Sequence, residues 1–270
     1  MLVVFRLCPL SWLMSPEPTP QTIPVKTIDE IVMLPEIATV SLPVDFILDR
    51  MKVDSTARTQ VEEMTRGQAD NPLWNICRKG RLTASNFGPA IRCIINRRKP
   101  SQSVLNSILG NKDLSGMRAI QWGKNNENTA RKLYEEVYEV SVEERGLILH
   151  DSGVLGASPD GMVSKKVIEI KCPYSLRDQS VNTALDGKFF VGKIGPGEYE
   201  LNLSDPAGFN YYHQVQGVMH LTDTSECDFI VWCPTDFVIF TVEKDDVWGQ
   251  YIPKLIDFYK QYVLPKILHT

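Results

Sequence analysis

Apolar residues recur along this chain with two different periods. Between Arg145 and Cys172 they form short runs (RGLILH, VLGASPD, GMV, VIEIK) separated by Gly, Asp, Ser and Lys turns, which predicts a meander of strands. DFIVWCP and DFVIFTVEKD read as two further strands. Elsewhere the period lengthens to that of a helix. In IQWGKNNENTARKLYEEVYEV, Ala130, Leu133, Tyr134 and Val137 fall at i, i+3, i+4 and i+7, and Glu127 lies one turn before Ala130 on the same face. YYHQVQGVMHLT predicts a helix with the stripe Tyr211, Val215, Val218 and Leu221, and Gln214 beside it. STARTQVEEMTRGQADNPLW predicts a short helix broken before Pro72. RLTASNFGPAIRCIIN predicts a second, with Thr83 or Ser85 near its start, and VWGQYIPKLIDFYKQYVLPKIL a closing amphipathic helix. Helices flanking a central mixed sheet make the class α/β or α+β.

One strand departs from its apolar surroundings. In VIEIKCP, alternation puts Val167, Glu169 and Lys171 on one face and Ile168 and Ile170 on the other, so a carboxylate and an amine are presented together. Just upstream, the Ser-Pro-Asp-Gly turn carries Asp160. A hairpin through Ser164-Lys165-Lys166 would bring Asp160 close to Glu169. Two carboxylates with a lysine beside them suit a divalent cation, which takes carboxylate, water and phosphate oxygens, and the lysine can assist an attacking water. The alternative is an exposed strand with an ordinary Glu and Lys on its wet face.

Composition changes the picture in three places. The 270 residues carry a net charge of −4, yet Arg78, Lys79, Arg81, Arg92, Arg97, Arg98 and Lys99 form a basic run without an acid, either an anion-attracting stretch or a solvated basic face. Six cysteines with no Cys-x-x-Cys pair fit reduced thiols in an intracellular protein. The apolar opening MLVVFRLCPLSWLM is interrupted by Arg6 and Pro9 and predicts no membrane span, though a presequence stays open. Residues 1–55, with the proline-rich SPEPTPQTIP, read as an arm or linker, and residues 56–270 as the compact domain. His213 and His220, seven apart, lack a neighbouring Cys or Asp that would make them a metal site. Glu127 has two readings, an inward-facing acid of the site or a first-turn Glu favoured by the helix dipole. The chain has no phosphate-binding Gly-x-x-x-x-Gly-Lys loop, no Gly-x-Ser-x-Gly elbow and no His-Glu-x-x-His.

Taken together, NPLW with RLTASNFG, WGKNNENTARKLYEE, LGASPDG, VIEIKCPYSLRD and YYHQVQGVMHLT resemble the YqaJ-type viral recombinase domain, which includes the lambda-type alkaline exonucleases of the restriction-endonuclease-like superfamily. The resemblance runs from about Val61 to Ile267, with the motifs in the family's order. It implies that Asp160, Glu169 and the carbonyl of Ile170 bind Mg²⁺, with Mn²⁺ as a substitute. It also implies Lys171 as the catalytic lysine, Glu127 as the helix acid and Gln214 as the active-site glutamine. Arg78, Ser85 and Arg177 correspond to a pocket for the terminal 5′-phosphate of duplex DNA. The expected activity is 5′→3′ exonucleolytic hydrolysis of linear double-stranded DNA, in recombination, repair or processing.

Relatives in this family form trimeric rings, so a homo-oligomer is one expectation and a monomer the other, with a single-strand-annealing protein as a further partner. The chain departs from the phage pattern in its proline-rich arm, in the long insertion GKFFVGKIGPGEYELNLSDPAGFN and in its closing helix. Two rival functions stay open: a catalytically silent module that binds DNA ends, and an endonuclease of the same superfamily.

Overall fold

The computed structural model describes residues 23–110 and 116–268. In chain order it contains α1 (Ile28–Val32), α2 (Pro43–Met51), α3 (Ser55–Met64), α4 (Pro72–Arg78), β1 (Leu82–Thr83), α5 (Phe87–Ile95), α6 (Gln102–Leu109) and α7 (Arg118–Tyr138). The strands β2 (Ile148–Leu149), β3 (Leu155–Ala157), β4 (Gly161–Val163) and β5 (Lys166–Lys171) follow, then α8 (Val181–Leu185), β6 (Val191–Gly195) and β7 (Glu198–Leu201). The chain continues with α9 (Pro206–Thr222), β8 (Glu226–Trp232), β9 (Phe237–Glu243), α10 (Tyr251–Phe258), a π-helical turn over Tyr259–Val263 and α11 (Leu264–Leu268).

The central sheet has the order β4-β5-β8-β9 and is mixed: β4 and β9 run antiparallel to their neighbours, whereas β5 and β8 are parallel. Its two faces follow the alternation of β5. Val167 joins Val215, Phe229 and Val231 in the main core on the side of α9. Ile168 and Ile170 join Ala130, Tyr134 and Ile230 in a second cluster beneath α7. Val137, expected on that stripe, is 47% exposed, next to the similarly exposed Tyr138 that ends α7. Among the described residues no helix is long and apolar enough to cross a membrane, and Cys77, Cys93, Cys172, Cys227 and Cys233 are free thiols. Cys8 lies outside the described residues.

Several local expectations change. The meander between 145 and 172 is split: β2 and β3 pair with β1 in a separate sheet of order β1-β3-β2, and β4 and β5 belong to the central one. The break falls at Ser158-Pro159, where proline has no N–H to continue a ladder. The first helix stops at Met64, before Gly67 (φ +84°), and Pro72 opens α4 behind an Asn71 cap instead of ending a helix. The long insertion folds as the hairpin β6-β7. Residues 25–51 pack on the domain: Ile28, Ile31, Ile47 and Met51 are buried in the main core, and Val25 lies against Val61 and Leu147. Their short helices lack the length for a clear period, which is why the pattern there reads as weak.

Candidate active site

The β4-β5 hairpin turns through Ser164 (φ +55°), and its register pairs Gly161 with Ile168, which sets Asp160 level with Glu169. Asp160 Oδ2 accepts the backbone N–H of Ile170 at 2.6 Å. Glu169 is buried at 1% exposure. Its Oε1 accepts from both Lys171 Nζ and Gln214 Nε2, the latter at 2.6 Å, while Oε2 is buried without a partner. Gln214 and Tyr211 reach this face from α9, with Lys171 Nζ 4.8 Å from the Tyr211 ring centre. Glu127 comes from α7 and is held by Arg131 at 3.4 Å.

Three carboxylates therefore share one buried ammonium. Burial, then the Asp160 charge, pushes Glu169 up to about 8 and Glu127 up to about 7. Burial also raises Asp160. At Lys171 burial works against the charge, but Glu169 and Asp160 outweigh it and hold the pKa above its ordinary value. Such crowding, with one carboxylate oxygen orphaned, is what a divalent cation relieves. Among the described residues no three His, Cys, Asp or Glu side chains already gather about one point. The available donors are two carboxylates and the Ile170 carbonyl, an all-oxygen set that leaves places for water and phosphate and so fits Mg²⁺.

Beside this cluster, the Arg78 guanidinium lies on the Trp74 ring, 3.8 Å from its centre. It donates to Thr83 Oγ1 at 3.3 Å, Thr83 Oγ1 is 3.3 Å from Ser85 Oγ, and Arg78 Nε has no partner. Burial lowers the Arg78 pKa to about 10. A half-buried arginine whose buried Nε has no partner invites an anion. One cleft of about 580 Å³ is lined by every residue expected to form the site except Arg177. Arg177 is exposed, stacked on Tyr174 at 4.4 Å and paired with Asp178 at 3.0 Å, and only its neighbour Tyr174 lines the cleft.

The basic run divides among different tasks. Arg81 is 1% exposed and bonds the carbonyls of Gly153, Cys77 and Lys26, so it holds the fold. Arg97, Arg98 and Lys99 are exposed. His213 and His220 pack around Trp248, His213 Nδ1 accepting its indole N–H at 2.8 Å and His220 stacking at 5.1 Å. Sequence reasoning missed Gln68, whose Nε2 donates to the carbonyls of Pro159 at 2.7 Å and Arg145 at 3.0 Å. Its φ of +43° was the one unusual local feature, and no pattern announces it. Tyr211, read only as part of an apolar stripe, also lines the cleft.

This fold is shared with solved nucleases. The alkaline exonuclease LHK-Exo of Laribacter hongkongensis superposes with a TM-score of 0.52 at 25% identity, covering 73% of this chain and 94% of that one. The RNA complex of SOX from Kaposi's sarcoma-associated herpesvirus gives 0.52 at 12% identity, over 87% and 81% of the two chains. These are restriction-endonuclease-like folds. Alkaline nucleases of Autographa californica nuclear polyhedrosis virus and Orgyia pseudotsugata multicapsid polyhedrosis virus are 26% and 25% identical, over 74% and 69% of this chain. The chain spans about half the length of these curated relatives, 49% and 46%. Residues 73–225, more than half of the 270, match the YqaJ-like viral recombinase domain, and the chain belongs to that family.

Proposed function

We propose that this protein is a metal-dependent nuclease that hydrolyses linear double-stranded DNA from 5′-phosphorylated ends. The observation that carries the reading is a single cleft lined both by Asp160, Glu169 and Lys171 and by Arg78 and Ser85. A hydrolytic centre beside an anion anchor positions the first phosphodiester bond for cleavage and makes the reaction end-directed. The alkaline nuclease relatives and the fold of LHK-Exo support it.

In this mechanism Asp160, Glu169 and the Ile170 carbonyl would hold Mg²⁺. The ion supplies Lewis-acid polarisation of the scissile phosphate. Lys171, kept charged by Glu169 and Asp160, orients the attacking water and offsets the negative charge that grows on the phosphate. Gln214 holds Glu169 in place from α9. Glu127 would complete the acidic side of the site, with Arg131 restraining its carboxylate. Arg78 and Ser85 seat the terminal phosphate, while Arg177, stacked on Tyr174 and paired with Asp178, stands outside the cleft lining. The nuclease unit comprises residues 56–270 with the 25–51 stretch packed on its core.

The test is degradation of linear duplex DNA, 5′-phosphorylated or 5′-hydroxyl, beside a closed circle, with Mg²⁺ or EDTA and with Lys171→Ala as control. Metal-dependent loss of the phosphorylated linear substrate, absent in the variant, is the expected result. Cleavage of the circle would replace the reading with an endonuclease. Intact DNA binding without cleavage would replace it with an end-binding module.

A further inference from the structure

One side chain touches both halves of the cleft. The ring face of Trp74 carries the Arg78 guanidinium, and its Nε1–H donates to Ser158 Oγ at 2.9 Å, two residues before Asp160. That turn is also held by Gln68 through the Pro159 carbonyl. Asp160 is thus seated by contacts on its turn from outside the strand, together with its own bond to Ile170 N–H. Arg78 is held more loosely, by a 3.3 Å bond to Thr83 and a stack on the indole, with Nε unpartnered.

We propose that Trp74 is a positioning residue that couples occupation of the terminal-phosphate site to the seating of Asp160, so that a 5′-phosphate raises turnover as well as affinity. The proposal rests on the reading of Arg78 and Ser85 as the phosphate anchor. An anion on Arg78 fixes the guanidinium plane by charge-assisted hydrogen bonds. The stacked indole is a rigid body with two side-chain torsions, so fixing its face also fixes the direction of its N–H. That N–H is the link to Ser158 and hence to the turn that presents Asp160.

The experiment measures kcat and KM separately on 5′-phosphoryl and 5′-hydroxyl linear duplex, with Mg²⁺, for the wild-type protein, Trp74→Phe, Ser158→Ala and the double variant. Thermal midpoints check folding, and Ser158→Ala, which deletes one hydroxyl, carries the test if Trp74→Phe does not fold. Trp74→Phe keeps a ring under Arg78, so the KM preference for phosphorylated ends persists. The ratio of kcat between the two ends falls about fivefold, the scale of one hydrogen bond. Ser158→Ala gives the same loss, and the double variant loses no more than either single one. Equal loss of kcat on both ends, with the ratio preserved, would mean a merely structural role and overturn the coupling. A wild-type protein that ignores the 5′-phosphate would overturn the anchor reading itself, which separates the two failures.

Discussion

At the scale of single residues, the site is defined by a shortage of positive charge. Glu127, Asp160 and Glu169 each have a raised pKa, and Lys171 is the one ammonium shared among them. Mg²⁺ should therefore stabilise the protein by about 2.7 kcal/mol at a hundred times its Kd, read as a higher thermal midpoint. Asp160→Asn should cancel that shift and lower cleavage on the order of a thousandfold while leaving the fold intact. An unchanged Mg²⁺ response in this variant would move the cation elsewhere. Arg78→Ala should cost roughly tenfold or more on phosphorylated ends and little on hydroxyl ends, since a charge-assisted phosphate contact is worth about 1.5–3 kcal/mol. Glu169 and Lys171 were legible as a pair because a period of two forces them to one side of the strand. Arg81 and Arg177 show the limit: basic residues of one run or motif look alike in sequence, and only packing separates a buried fold-holder or an exposed stacker from a cleft residue.

At the scale of elements, two helix contacts set the distances in the cleft. α5, which begins two residues after Ser85, crosses α9, which carries Gln214, so closely that a Cβ on Gly88 would lie 2.6 Å from the Asn210 Cα. The same crossing brings the Phe87 ring within 2.3 Å of where a Gly217 Cβ would stand. Gly88→Ala should cost about 1–3 kcal/mol in denaturant unfolding, because the helices must separate, and should lower kcat by moving Ser85 and Gln214 apart. Retained stability would show that the crossing is compliant. On the other face, α7 is anchored by Tyr134, whose hydroxyl donates to Asp228 Oδ2 at 2.7 Å. Asp228 Oδ1 also accepts from Lys166 at 3.1 Å and Thr241 at 2.7 Å. Helix period revealed α7 and α9, but not the shared aspartate, since its partners lie as far as 94 residues away.

At the scale of the whole molecule, stability and chemistry draw on different titrating groups. Burial pushes the His213 imidazole down to about 4, and it stays neutral while accepting the Trp248 N–H. Below the ordinary value of 6.5 the unfolded chain takes up a proton that the folded one refuses. Stability is therefore lost as pH falls from about 6.5 towards 4, by up to about 1.4 kcal/mol per pH unit from this group. Denaturant midpoints between pH 7 and 5 should show this slope, and His213→Gln, itself less stable at pH 7, should flatten it. A slope identical in both proteins would assign acid lability to other groups. The same scale explains why residues 25–51 looked like a linker. Tyr259 near the chain's end donates to the Gly80 carbonyl at 2.6 Å, Arg81 bonds Lys26, and α1 and α2 fill the gap.

The sequence by itself determined what is local: the helix and strand periods, the hairpin at Ser164 and the pairing of Glu169 with Lys171 on one face. Each follows from backbone geometry within one or two elements. Tertiary structure decided what depends on distant segments. It split the meander between two sheets, packed Ile28, Ile31, Ile47 and Met51 of the 25–51 stretch into the core, sorted the arginines, and brought Gln68 and Trp74 against the Asp160 turn across 91 and 84 residues. No period encodes such contacts, because they arise from the shape of the whole core and not from the spacing of residues along one strand or helix.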